Sequence, residues 1–160
     1  MKRKVVFLDR DGVINVERGK HTGKKEDFKI INDLFKSLLI LKNKGYSFII
    51  ISNQSGIYQS LYTLEDVYVL NAILKKEFSK HELTLHEIYI CPHHESISMC
   101  LCRKPKSLLF EKAIARFEVD IESSFMIGDK SRDIVAAENC GLKGFLIQSN
   151  CSILSIAEKV

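Results

Sequence analysis

"KVVFLDRDGVIN", residues 4–15, begins as an apolar run and ends in two carboxylates two positions apart, Asp9 and Asp11, with Arg10 between them and Gly12 behind. The apolar residues do not alternate with polar ones, so residues 4–8 read as a strand buried on both faces, as in a parallel sheet. Two acids at its end repel one another, and that cost needs an offsetting partner. A turn beginning after Asp9, eased by Gly12, aims the second carboxylate away from the first.

Working outward, the chain alternates strands and helices. Residues 33–44 place Leu34, Leu38 and Leu41 on one helical face, with Gly45 as a C-terminal cap. Residues 46–51 form a second buried strand. Thr63 caps a long helix with Asp66 three residues on, and Val67, Leu70, Leu74 and Phe78 make its core face. Strand at 87–90, helix at 106–117, strand at 124–127, helix at 131–139, strand at 144–147 and a last short helix at 153–158 complete the pattern. This predicts one domain over residues 1–160, an α/β, doubly wound (Rossmann-like) five-stranded parallel sheet.

Such sheets bind ligands at the carboxyl ends of their strands. The first strand ends in Asp9-Arg10-Asp11-Gly12, the second in Ser52-Asn53-Gln54-Ser55-Gly56, the third in Cys91 and the fourth in Gly128-Asp129-Lys130. Acids from the first and fourth strands make an oxygen-rich site for Mg²⁺, which takes one or two carboxylates plus waters and phosphate oxygens. Ser52 and the backbone N–H groups of its turn can cradle phosphate oxygens, and a lysine supplies a fixed positive charge. One carboxylate of the Asp9/Asp11 pair can attack phosphorus while the other donates a proton to the leaving oxygen and later takes one from water. Mg²⁺ would screen the anionic phosphate from the anionic nucleophile.

"CPHHESISMCLCRKP", residues 91–105, holds three of the five cysteines. Cys91, His93, Cys100 and Cys102 form a Cys₃His set suited to a closed tetrahedral Zn²⁺ site, with His94 as a possible substitute for His93. A site with four protein ligands has a structural role. It would fix where the adjacent Arg103 and Lys104 point, one toward a second anionic group and the other toward the transferring phosphate.

These motifs resemble the haloacid dehalogenase (HAD) superfamily of phosphatases over roughly residues 4–147. The resemblance implies that Asp9 is the nucleophile that becomes an aspartyl phosphate and that Asp11 is the general acid/base. It implies that Ser52 and Lys104 hold the phosphate, and that Asp9, Asp11 through its backbone carbonyl, and Asp129 hold Mg²⁺. Asp133 then supports Lys104 or the metal's surroundings. DRDGVIN, SNQSG, the cysteine loop with its Arg-Lys-Pro, and GDK are similar to the zinc-containing subgroup that acts on heptose 1,7-bisphosphate, with histidinol-phosphate phosphatases sharing the motifs. That subgroup implies a cytoplasmic bacterial enzyme without a large cap domain, serving lipopolysaccharide or glycoprotein heptose synthesis; a monomer is the expected state. It implies substrate contacts at Asp9, Arg10, Asp11, Glu17, Arg18, Gly19, Lys20, Ser52, Asn53, Gln54, Ser55, Arg103, Lys104 and Lys130, with Arg103 also serving catalysis. Lys20 stands where the subgroup has an aromatic residue, and Asn32-Asp33 where it often has Pro-Gly.

Bulk properties narrow the alternatives. The chain has 160 residues, 46% hydrophobic and 28% charged, enough for a core without disulfides. The residues after the basic start (Met1 to Lys4) are too briefly apolar for a signal peptide, and no run is long enough to span a membrane. A net charge of +4 is too weak for a nucleic-acid stripe, and the basic stretch 18–29 also holds Glu26 and Asp27, so it reads as a solvated loop or a rim for an anionic substrate. A receiver-like phospho-acceptor module explains neither the second acid nor the cysteine loop. A zinc-ribbon nucleic-acid binder lacks basic and aromatic residues at 91–102. A small phosphate ester is the expected partner.

Overall fold

The computed structural model describes residues 2–97 and 99–160; Met1 and Ser98, the latter within the cysteine loop, lie outside the described residues. Five strands, β1 (Val5–Leu8), β2 (Ser47–Asn53), β3 (Leu85–Cys91), β4 (Phe125–Gly128) and β5 (Lys143–Leu146), form one all-parallel sheet in the order β3-β2-β1-β4-β5. The helices are α1 (Leu34–Asn43), α2 (Leu64–Lys80), α3 (Leu108–Phe117), α4 (Ser131–Glu138) and α5 (Leu154–Lys159). Among the described residues no helix is long and apolar enough to cross a membrane.

Strand residues supply both cores by alternation. Val6 and Leu8 pack with Leu34, Leu38, Leu41, Leu74 and Phe78 from α1 and α2. Val5 and Phe7 face the other way, onto Leu109, Phe110, Ala113, Ala136 and Ala137 from α3 and α4. All four β1 residues are buried, which explains the unbroken apolar run.

The helices begin and end where local chemistry dictates. Thr63 accepts from the N–H of Asp66 while Asp66 accepts from the N–H of Thr63, the reciprocal cap expected for α2. Gly45 takes φ +87° just after α1. The basic stretch is not wholly irregular: it contains a 3₁₀ turn, Lys25–Asp27. A bridge between Asn15 and Ile30 draws this loop back over the end of β1.

The strand order places the site. The chain runs from β1 outward to β3 and then returns to the far side of β1 as β4. The point of reversal therefore lies between β1 and β4, where a crevice opens at the strands' carboxyl ends. Asp9 leaves one of these strands and Asp129 the other.

Candidate active site

Gly12 lets the two strand ends meet. It has φ +85°, and a Cβ there would fall 2.4 Å from Asp129 Oδ2. Asp9 and Asp129 are buried, and Asp133 joins them from the first turn of α4, where its Oδ2 accepts from the backbone N–H of Lys130. Carboxylate oxygens of these three residues lie within 4.8 Å of one another.

Lys104 enters this cluster from the cysteine loop. Its Nζ lies 2.8 Å from Asp9 Oδ1 and 2.8 Å from Asp133 Oδ1, and donates to Ile51 O at 2.6 Å. Asn53 fixes the same residue from behind, with its amide donating to Lys104 O and accepting from Lys104 N–H, both at 3.1 Å. Burial pushes the Asp9 carboxyl up to about 7; Lys104 pulls against this, while Asp133 and Asp11 add to it. Burial opposes the charge on Lys104, but Asp9 and Asp133 outweigh it and hold the ammonium above its ordinary value.

Asp11 points elsewhere. Its Oδ1 accepts from Arg10 at 3.0 Å and Asn15 at 2.8 Å, and its Oδ2 from Gln54 at 3.0 Å. Its carboxylate is thus outside the group formed by Asp9, Asp129 and Asp133, so only its backbone carbonyl remains for the metal role expected of it. The carboxylate still lines the cavity. The two acids are aimed apart, as the turn at Gly12 implies.

This cavity, of about 390 Å³, gathers most of the expected substrate contacts: Glu17, Gly19, Lys20, Asn53, Gln54, Ser55, Arg103 and Lys130 beside Asp9, Asp11 and Lys104. Three expected contacts do not line it. Arg10 is fully buried away from the cavity lining, with its Nη2 donating to Asp11 and to Thr22 O at 2.7 Å, so it braces the loop. Arg18 turns to Asp27 and lines a neighbouring hollow. Ser52 is buried, with its hydroxyl accepting from Gln54 at 2.7 Å. Four residues assigned no role from the sequence do line the cavity: His21, Thr22, Tyr62 and Arg132. Arg132 follows Asp129 by three, at the start of the helix leaving β4, and the strand-end rule is the signal that finds it.

Cys91, His93, Cys100 and Cys102 converge. The sulfur–sulfur distances are 3.6, 3.5 and 3.2 Å, and His93 Nδ1 lies 3.6 Å from Cys91 Sγ and 3.4 Å from Cys102 Sγ. A tetrahedral zinc site with bonds of about 2.0–2.3 Å has edges of roughly 3.5–3.8 Å, so the set fits that ion. His94 is engaged with Ser96 and stacked near Tyr58. The Arg103 N–H donates to Cys100 Sγ and its guanidinium to His93 O at 3.2 Å, so the cluster sets the position of Arg103. The acidic cluster fits a hard dication: Asp129 Oδ1 is buried with no hydrogen-bond partner among the described residues.

Residues 101–152 match the HAD-hydrolase-like family. Over 145 residues the chain is 40% identical to the D-glycero-beta-D-manno-heptose-1,7-bisphosphate 7-phosphatase of Helicobacter pylori, spanning 90% of this chain and 83% of that one. It is 39% identical over 150 residues to the D-glycero-alpha-D-manno-heptose-1,7-bisphosphate 7-phosphatase of Campylobacter jejuni, spanning 94% and 84%. The fold is that of the D,D-heptose 1,7-bisphosphate phosphatase of B. bronchiseptica, solved with magnesium and phosphate, at a TM-score of 0.88, 22% identity and 98% and 97% coverage. The chain is a phosphoric monoester hydrolase of the HAD superfamily and belongs to its family of D-glycero-D-manno-heptose-1,7-bisphosphate 7-phosphatases.

Proposed function

We propose that this chain hydrolyses the 7-phosphate of a heptose 1,7-bisphosphate, working as a monomer with Mg²⁺ at the acidic cluster and structural Zn²⁺ at the cysteine loop. The observation that carries the reading is the pairing of two differently held acids in one cavity. Asp9 is buried against Lys104, while Asp11 is turned aside and gripped by Arg10, Asn15 and Gln54.

The division of labour follows from these surroundings. The free Asp9 oxygen attacks phosphorus, the ester P–O bond breaks, and the sugar oxygen leaves with a proton from Asp11. Asp11 then takes a proton from water, whose oxygen attacks the aspartyl phosphate. The P–O bond to Asp9 breaks, and inorganic phosphate and both carboxyl groups are returned. Lys104 holds positive charge beside the phosphoryl oxygens throughout. Asp9, Asp129 and the carbonyl of Asp11 would hold Mg²⁺, which supplies charge screening between phosphate and nucleophile. Lys20, Arg103, Lys130 and Arg132 also line the cavity, and this excess of cations suits a substrate with a second phosphate.

The test is phosphate release, with Mg²⁺ present, from both anomers of heptose 1,7-bisphosphate beside histidinol phosphate. The proposal expects preference for one bisphosphate anomer and no turnover by Asp9→Asn. Preference for histidinol phosphate would overturn the substrate and keep the chemistry.

A further inference from the structure

Tyr62 has no place in the motifs, yet it is built into the site. It is 8% exposed, and its ring is held between two loops. A Cβ on Gly23, from the loop after β1, would lie 2.3 Å from the ring; one on Gly56, from the loop after β2, would lie 2.1 Å from it. The ring cannot shift without moving one loop or the other.

Its hydroxyl donates to Gln54 Oε1 at 2.8 Å. The other end of that amide spends both protons, on Ser52 Oγ at 2.7 Å and on Asp11 Oδ2 at 3.0 Å. Gln54 is itself 1% exposed, so water does not substitute for these partners. Turned over, the amide would set its oxygen against the Asp11 carboxylate, acceptor against acceptor. Burial, with a smaller push from Asp11, raises the Tyr62 phenol to about 12 despite the opposing pull of Arg10, so it keeps its proton and remains a donor.

We propose that Tyr62 is a positioning residue for proton transfer to the leaving group: through Gln54 it fixes the direction of the Asp11 carboxylate. The inference rests on Asp11 being the general acid. Without the hydroxyl, the buried Oε1 loses its partner. The amide then recovers one only by rotating, which takes its N–H from Asp11.

A merely structural role would slow all substrates alike. A role in proton donation slows those whose leaving group needs the proton. The measurement is therefore the ratio of kcat/KM for heptose 1,7-bisphosphate, an alkyl phosphate, to kcat/KM for p-nitrophenyl phosphate, whose phenolate leaves unaided. Tyr62→Phe, which keeps the ring between the glycines, is expected to lower this ratio about tenfold, a fraction of the ~10²–10⁴ that a positioned acid contributes. Gln54→Ala should lower it as much, and the double variant no further, because the two act in series. An equal fall on both substrates, an unchanged ratio, or multiplicative effects in the double variant would overturn the role of Tyr62. Asp11→Asn separates the premises. A wild-type ratio there removes the acid assignment itself, whereas a collapsed ratio there with a wild-type ratio in Tyr62→Phe overturns only the inference.

Discussion

Lys104 Nζ and Asp9 Oδ1 stand 2.8 Å apart with both side chains nearly closed to solvent, and the same ammonium reaches Asp133. One cation thus balances two buried carboxylates. Lys104→Met should cost about 3–5 kcal/mol of stability, the penalty for stranding buried charge, and should abolish turnover. Chemical denaturation at pH 5 and pH 8 checks the cause: the loss should be smaller at the lower pH, where protonation discharges the stranded Asp9.

The raised Asp9 carboxyl carries a pH signature of its own. It titrates near 3.8 when unfolded and near 7 when folded, so between those values the folded chain holds a proton that the unfolded chain has lost. Its contribution to stability is complete below the lower value and is lost as the pH rises through the higher one. With Mg²⁺ omitted, Tm should therefore fall across about pH 4–7. Added Mg²⁺ should raise Tm most at the upper end, because metal competes with the proton. Calorimetry with and without Mg²⁺ across this range reads both effects.

The clustering of polar strand ends at the candidate site was legible because its determinants are local: apolar runs mark buried strands, and the strand-end rule brings their polar ends together. The cysteine set was legible from ligand type and spacing, and its geometry selects His93 over His94. Arg10 was not legible, since its burial depends on Thr22 returning over it, a contact that follows from how the loop closes. Arg18 and Lys20 looked alike in one basic stretch. Asp27, brought near by the 3₁₀ turn, draws Arg18 away and leaves Lys20 at the cavity. Tyr62 carries no signal in the sequence, because its slot is defined by Gly23 and Gly56 from two different loops, which only the fold brings together.

The cysteine cluster allows a clean distinction between adjacent histidines. Metal analysis of the purified chain should find about one zinc per chain. His93→Ala should lose it, because Nδ1 of His93 faces the sulfurs. His94→Ala should retain it, because the ring of His94 is turned to Ser96 and Tyr58. Zinc loss should also raise KM, since the same loop sets Arg103 through Cys100 and His93. Loss of zinc from the His94 variant alone would reverse the assignment.

Gly12 gives the sharpest test of the meeting between β1 and β4. Alanine there faces two penalties: a left-handed φ of +85°, and a Cβ placed 2.4 Å from Asp129 Oδ2. The first costs about 1–2 kcal/mol. The second is relieved only by moving Asp129, whose unpartnered Oδ1 belongs to the proposed Mg²⁺ site. Gly12→Ala should therefore remain folded with a modestly lower Tm, while the Mg²⁺ concentration for half-maximal activity rises at least tenfold. If that concentration is unchanged, Asp129 is not a ligand of the catalytic ion, and the acidic cluster would have to bind it through Asp9 and Asp133.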